Sequence, residues 1–146
     1  MRRILTIACF LASAGLPPAL AAETVADGPR PVAVTQLLAT RTTATGQPLK
    51  LPGGDVQAIF SEYLIQPGAV LPVHRHPYSR YAYVLEGRLR VARPGHAEMS
   101  DYAAGDVVAE MVDEWHFGTN IGEGPLRLLV IDQVPAGLPA TELRHD

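Results

Sequence analysis

The sequence predicts an all-β sandwich or barrel. Short apolar runs recur along the chain between turn signals, and no long stretch with helical periodicity follows the first 22 residues. Thirteen glycines and thirteen prolines punctuate the 146 residues, which is typical of many short strands joined by turns. Chains with this pattern bury their sheets by stacking them or by closing them into a barrel.

The first 22 residues are predicted to be a cleaved signal peptide. A cationic start, Met1-Arg2-Arg3, precedes an apolar run over residues 4–16, and small residues lead up to Glu23. The run is shorter than the roughly 20 residues that span a bilayer, so an uncleaved anchor or a buried first helix is the less favoured alternative. The mature protein is therefore expected to be periplasmic or secreted, without membrane contact after cleavage.

Cleavage of the signal peptide changes the cysteine content and the net charge of the protein. Cys9 is the only cysteine and leaves with the signal, so an oxidising compartment is tolerated without a disulfide. Ten basic residues then remain against 15 acidic ones, and the formal net charge moves from −3 to −5. No basic cluster remains, which argues against nucleic acid as a partner.

One domain is expected, flanked by two less regular segments. Residues 23–31 are interpreted as a flexible N-terminal arm, 32–135 as the β-barrel and 136–146 as a C-terminal tail. Residues 42–54 are interpreted as a loop with at most a short edge strand. Alternation over residues 56–65 places Val56, Phe60 and Leu64 on one face, and Glu86-Gly87 is interpreted as a hairpin turn. The candidate strands are 32–38, 56–65, 81–85, 89–92, 107–112 and 126–134.

His74 and His76 are the strongest candidates for a functional site. Side chains alternate on an extended backbone, so both imidazoles leave one face while Arg75 leaves the other. Two imidazoles that point together into a barrel can share one cation. A pair of surface histidines is the alternative reading of this short pattern.

The surrounding spacings resemble the two motifs of the cupin superfamily. The first motif has the form glycine, five residues, His-x-His, three residues, glutamate, six residues, glycine. It is matched by Gly68, His74, His76, Arg80 and Gly87. The second has the form glycine, five residues, proline, one residue, glycine, two residues, histidine, three residues, asparagine. It is matched by Gly105, Met111, Asp113, His116 and Asn120, with the proline and second glycine replaced.

The resemblance implies a single-domain double-stranded β-helix, or jelly-roll barrel, with a metal inside it. The implied ligands are His74, His76 and His116, together with a glutamate at position 80. Arg80 occupies that position instead, and residues 77–85 contain no acid. Three histidines are therefore the ligands expected from the protein, because a guanidinium cannot deprotonate to become a ligand.

Three roles for Arg80 stay open. It can swing away and pair with an acid such as Glu62, Glu110 or Glu114, which leaves a three-histidine metal site. It can stay inside and hold an anionic ligand with its planar fork. The metal can also be absent, so that the histidines furnish only a polar pocket.

A three-histidine site suits Zn, Cu, Ni or Fe(II), and loss of the carboxylate weakens selection for Mn(II). Tyr78 and Trp115, with Arg80, are candidate contacts to a ligand, although packing in the barrel wall is the alternative for Trp115. No general base stands out in the sequence. The candidates for it are Tyr78, Tyr81, Glu110 and Glu114.

Three functions are therefore predicted as alternatives. The first is an exported cupin that binds a divalent metal and a small molecule inside the barrel. The second is a metal-dependent enzyme, dioxygenase-like or hydrolytic, acting on a small anionic or phenolic substrate. The third is a non-catalytic homodimeric module, in which Tyr81, Tyr83 and Leu85 lie on the face opposite Arg80 and pack against a partner.

Overall fold

The computed structural model describes residues 32–145. The chain divides at residue 34 into two units, and every strand of the described residues lies in the second. The predicted signal peptide and the arm over residues 23–31 lie outside the described residues. Within residues 32–145, no helix is long and apolar enough to cross a membrane.

The described residues form strands, turns and loops, which confirms the all-β prediction. Every strand pair is antiparallel. The strands are β1 (Val56–Ile65), β2 (His74–Arg75), β3 (Arg80–Glu86), β4 (Arg88–Ala92), β5 (Met99–Ala103), β6 (Val107–Ala109), β7 (Phe117–Asn120), β8 (Leu126–Pro135) and β9 (Glu142–Leu143).

Two sheets enclose the core, as expected for a jelly-roll barrel. The larger sheet has the order β1-β8-β3-β6, and the smaller has the order β5-β4-β7. A short ladder joins β2 to β9, so residues 142–143 of the predicted tail are part of the sheet structure. Non-consecutive neighbours in both sheets mean that the chain crosses repeatedly between them.

The core is formed by alternate side chains from both sheets. β8 shows the alternation most clearly, with every second residue buried from Leu126 to Val134. Burying one of the leucine or valine side chains in this series stabilises the fold by roughly 1.5–3 kcal/mol. The core side chains are those of Ile65, Ala82, Val84, Leu89, Val91, Val108, Met111, Leu126, Leu128 and Val130.

Two predicted strands are absent or shorter in the structure. Residues 32–38 form no strand, and Leu37 and Leu38 are exposed, so local alternation there is not matched by a sheet partner. The strand predicted over 107–112 ends at Ala109, where the chain turns towards the site described below. The 42–54 loop contains a single bridge, between Thr42 and Pro48.

The residues of β1 that alternation placed on one face do share it, and this face is the exposed one. Phe60 and Leu64 are 66% and 62% exposed, whereas Ile65 is buried and Tyr63 is half-buried. Alternation determines which residues share a face, but the sheet's packing decides which face turns inward. The apolar face of β1 therefore lies on the outside of the larger sheet.

The predicted hairpin at Glu86-Gly87 is wrong, because β3 and β4 belong to different sheets. The β3–β8 register shifts between Val84 and Glu86, and Gly87 then has a φ of 85°. A Cβ at position 87 would lie 2.6 Å from the carbonyl oxygen of Pro125. Gly87 thus allows the chain to pass from one sheet to the other at a crowded corner.

The second motif keeps its backbone geometry despite its substitutions. Asp113 replaces the second glycine and has a φ of 57°, a left-handed conformation that aspartate tolerates better than most residues. Asn120 is buried and donates through Nδ2 to the carbonyls of Ile65 and Gly124, at 2.9 Å each. It therefore ties two segments together and does not face the candidate site.

Candidate metal centre

His74 and His76 point into the barrel from β2 and the residue after it. Both are buried, while Arg75 between them is partly exposed, as alternation predicts. Arg75 donates to Glu142 across the β2–β9 ladder, at 2.7–2.8 Å. Its guanidinium also lies over the ring of Trp115, 4.9 Å from the centroid. The contacts of Arg75 thus stabilise the exposed side of β2, while both histidines face inward.

His116 is brought to this pair by the backbone. His74 and His116 exchange two backbone hydrogen bonds of 2.9 Å, which fix the residue before β7 directly opposite β2. The three ring centroids are 4.5–4.9 Å apart. Residues that are about 40 positions apart in sequence therefore present their imidazoles to one interior point.

The orientation of each imidazole is set by a backbone carbonyl. The Nδ1–H groups of His74, His76 and His116 donate to carbonyl oxygens at 2.7, 3.1 and 2.8 Å. A carbonyl oxygen only accepts, so Nδ1 carries the proton in each ring. In its neutral form each ring then turns an unprotonated Nε2 inward, which is the arrangement that metal-binding histidines adopt.

Glu110 completes the cluster from the end of β6. Its backbone N–H donates to the carbonyl of Arg80 at 2.9 Å, so it lies opposite Arg80 on the neighbouring strand. Its Oε2 is 3.1 Å from Nε2 of His116 and 3.2 Å from Nε2 of His76. The expectation that the protein supplies only three histidines is therefore wrong, because an acid that is absent at position 80 is present across the ladder.

Burial and the neighbouring groups shift the pKa values of His74 and Glu110 in the directions that favour binding of a cation. Burial lowers the pKa of His74 to about 4, so its imidazole is neutral at physiological pH. Burial alone would raise the pKa of Glu110, but the adjacent imidazoles of His116 and His76 outweigh it and hold that pKa well below its ordinary value. Near neutral pH the cluster thus offers one ionised carboxylate and a neutral His74.

The donor atoms fit a metal ion. All four ligand atoms lie within 4.8 Å of one another. Donors that are each about 2.0–2.2 Å from a shared ion lie at most about 4.4 Å apart, so binding would draw the most distant atoms together by a few tenths of an ångström. Nε2 of His76 is buried and makes no hydrogen bond, since its approach to Glu110 is poorly aligned. When the imidazoles are neutral, two lone-pair nitrogens face a carboxylate oxygen, and a cation between them removes that repulsion.

Arg80 stays inside the barrel but is neutralised by an acid that the sequence reasoning did not consider. Its Nε and Nη2 donate to the two carboxylate oxygens of Asp132 at 2.6 and 3.1 Å, and both side chains are 4% exposed. Burial opposes the charged form of Arg80, yet the bonds to Asp132 and the charge of Glu110 raise its pKa. The suggested partners Glu62 and Glu114 pair with Arg127 and Arg93 instead.

A small cavity adjoins the cluster. Its volume is about 20 Å³, and its polar lining comes from Tyr63, Arg80 and Glu110 as well as from His74 and His116. The rest of the lining is apolar and is contributed by Leu71, Leu89, Val91, Leu128 and Val130. Such a cavity holds about one water-sized molecule in otherwise dry surroundings.

Tyr78 and Trp115, which the sequence suggested as ligand contacts, do not line this cavity. Tyr78 lies in a separate outer groove with Lys50 and Leu51. Trp115 packs beneath Arg75. Trp115 directly precedes His116 outside the strands, and Tyr78 lies in a bend two residues after His76. The role of both residues in ligand binding stays a prediction.

Comparison with known proteins agrees with this architecture. The model of the "Cupin domain" family matches residues 61–132. The oxalate decarboxylase OxdC of Bacillus subtilis (strain 168) is 37% identical over 71 residues, which are 46% of this chain and 18% of that protein. This chain therefore spans less than a fifth of that relative.

Two solved structures share the fold. A cupin-like protein from Thermotoga maritima has a TM-score of 0.52 at 21% identity, over 60% of this chain and 64% of its own. A Klebsiella pneumoniae protein with a double-stranded β-helix domain has a TM-score of 0.50 at 17% identity, over 67% of this chain and 91% of its own. Identities this low bear on the fold alone. With the family match, the two motifs and the jelly-roll topology taken together, the chain belongs to the cupin superfamily.

Proposed function

We propose that this protein is an exported cupin that binds one divalent transition metal through His74, His76, His116 and Glu110, and a small molecule beside it. The orphaned Nε2 of His76 supports this most directly, because an unpaired buried acceptor is costly unless something occupies the site. Bound there, the metal would act as a Lewis acid with open positions for the small molecule.

The choice of metal broadens once Glu110 is included. Three imidazoles suit Zn, Fe(II), Ni or Cu, as the sequence suggested, and the added carboxylate oxygen makes Mn(II) a further candidate. Glu110 also offsets the charge of a divalent ion. The Arg80–Asp132 ion pair supports the proposal too, since it removes the unpaired interior cation that would otherwise repel the metal.

The cavity favours a very small partner molecule. A volume of about 20 Å³ accommodates a water-sized group, so a phenolic substrate requires the lining side chains to move, whereas a small anion or a diatomic molecule needs less room. The relative named as an oxalate decarboxylase also points to a small anionic substrate. This supports the second function, a metal-dependent enzyme acting on a small anion.

Metal analysis tests the proposal. We expect about one equivalent of transition metal per chain after reconstitution and removal of loose ions, because folding places four donors together. His116→Gln is expected to lose most of it, whereas the matched control His96→Gln retains it, since residue 96 lies in the turn after β4 and is exposed. Less than about a tenth of an equivalent in the unaltered protein would contradict the proposal.

Export is supported by the cationic start and the short apolar run of the first 22 residues. The intact mass of the protein recovered from the exported fraction measures where the chain is cut. A mass that retains residues 1–22 would argue against cleavage.

A homodimer is the second candidate property, and the outer face of the larger sheet favours it. Phe60, Ile131 and Tyr81 lie side by side on three adjacent strands, and Leu129 lies beside Tyr83 in the next row. The ion pair between Glu62 and Arg127 balances the charge of this face. A second copy can therefore approach without net like-charge repulsion, and a face of this kind marks an interaction surface.

Sedimentation measures this pairing. The unaltered protein is expected to have twice the mass of one mature chain at micromolar concentration. Phe60→Lys/Leu64→Lys is expected to be monomeric, because two cations would face two others across the twofold axis. Met99→Lys, a change at an exposed apolar side chain of the smaller sheet, serves as the control and is expected to remain dimeric. A monomer at every concentration of the unaltered protein would exclude the interface.

A further inference from the structure

The C-terminal segment is part of the candidate metal centre. β9 pairs with β2 so that Leu143 lies opposite His74 and Glu142 lies opposite Arg75. The backbone N–H of Arg144 donates to the carbonyl of Val73 at 2.9 Å. The segment is therefore fixed along the strand that carries two of the histidines.

Residues 140 and 141 provide the acceptors for His76. The carbonyl oxygen of Ala140 lies 3.1 Å from Nδ1 of His76, and the hydroxyl oxygen of Thr141 lies 3.4 Å from the same nitrogen. His76 is fully buried. Its Nδ1–H therefore has two acceptors from one short segment, and the orientation of its ring depends on where that segment lies.

Thr141 is in turn held by the buried ion pair. Nη2 of Arg80 donates to its hydroxyl oxygen at 2.8 Å, while Nε and Nη2 of the same guanidinium bind Asp132. Because Asp132 fixes the planar fork of Arg80, the position of Nη2 is fixed as well. The hydroxyl oxygen of Thr141 then accepts from Arg80 on one side and faces Nδ1–H of His76 on the other.

We propose that Thr141 is a positioning residue, through which the Arg80–Asp132 pair sets the ring orientation and tautomer of His76. Arg80 thus acts in this protein as an anchor for the C-terminal segment, in place of the ligand that the family motif has at position 80. The inference rests on the proposed metal site. The orientation of the His76 ring by Thr141 does not itself require a bound metal.

Thr141→Val tests the link, because it replaces the hydroxyl by a methyl group of similar size. We expect its affinity for cobalt(II), measured by chelator competition, to be about 10–100-fold lower, the usual effect of losing a hydrogen-bond partner of a ligand. Thr141→Ser keeps the hydroxyl and is expected to stay within about threefold of the unaltered protein. Thr119→Val is the control, since no side-chain hydrogen bond of Thr119 occurs among the described residues.

Nitrogen NMR of the imidazoles in the metal-free protein gives the second readout. His76 is expected to show the Nδ1–H tautomer in the unaltered protein and in Thr141→Ser, and a mixture of tautomers in Thr141→Val. An unchanged tautomer together with unchanged cobalt affinity in Thr141→Val would overturn the role of Thr141. Absence of cobalt binding by the unaltered protein would instead overturn the proposed metal site, and the NMR comparison would still decide the role of Thr141. If Thr141→Val unfolds, Thr141→Ala is measured in its place.

Discussion

Glu110→Gln is expected to weaken metal binding about 100- to 1000-fold and, at the same time, to lower the free energy of unfolding of the metal-free protein near neutral pH. Removing one partner from a buried ionic contact costs about 3–5 kcal/mol, which corresponds to a loss of affinity of about 100-fold to several thousand-fold. The depressed pKa of Glu110 means that its ionised carboxylate stabilises the folded, metal-free protein, and the substitution removes that contribution. The new amide –NH₂ can donate to the unpaired Nε2 of His76, and such a bond, worth about 1 kcal/mol, offsets only part of the loss.

Chelator competition and urea unfolding measure these two effects on the same samples. Glu98→Gln is the matched control, because it removes one charge from an exposed side chain and is expected to change neither quantity. Equal metal affinity in Glu110→Gln and the unaltered protein would remove Glu110 from the ligand set. Unchanged or increased stability of the metal-free variant would mean that the ionised carboxylate of Glu110 does not stabilise the cluster.

Asp132→Leu is expected to lower the free energy of unfolding by about 3–5 kcal/mol, because it leaves the guanidinium of Arg80 buried without a counter-charge. It is also expected to weaken metal binding, since an uncompensated cation then lies near the site. Arg80→Met/Asp132→Leu is expected to recover most of the stability, because it removes both charges. Its metal affinity should still be reduced, because Thr141 has lost its donor.

The exposed pair between Arg90 and Asp101 provides the control for this comparison. Like Arg80 and Asp132, these residues lie directly opposite each other on adjacent strands, and their two contacts are both 2.7 Å. Asp101→Leu is expected to have a much smaller effect than Asp132→Leu, since solvent screens the exposed pair. Urea midpoints at constant pH and ionic strength measure the difference. Similar decreases in the free energy of unfolding of Asp132→Leu and Asp101→Leu would show that burial does not determine the energetic cost of removing the acid.

The convergence of the histidines could be predicted because it rests partly on local geometry. Alternation along an extended backbone places His74 and His76 on one side whatever the rest of the chain does. The spacing of the second motif then supplied His116, which the backbone bridge to His74 places beside them. In the same way, alternation in β3 correctly separated Arg80 from Tyr81 and Tyr83.

The acid of the site could not be predicted in this way. Glu110 lies opposite Arg80 only because β6 pairs with β3 in one particular register, and a shift of one residue would turn its side chain to the other face. A sequence signal existed, since Glu110 directly precedes the second motif's proline position, but it became meaningful only when the strand pairing was known. Asp132, the partner of Arg80, is 52 residues away for the same reason.

The chain's own sequence thus determined the strand class, the motif spacing and which side chains share a face, because these depend on backbone periodicity over a few residues. The tertiary structure decided which face of β1 is buried, that β3 and β4 lie in different sheets, and which acids meet His76 and Arg80. Those outcomes depend on the register between distant strands. Many registers are compatible with one local pattern, and the packing of the whole barrel selects among them.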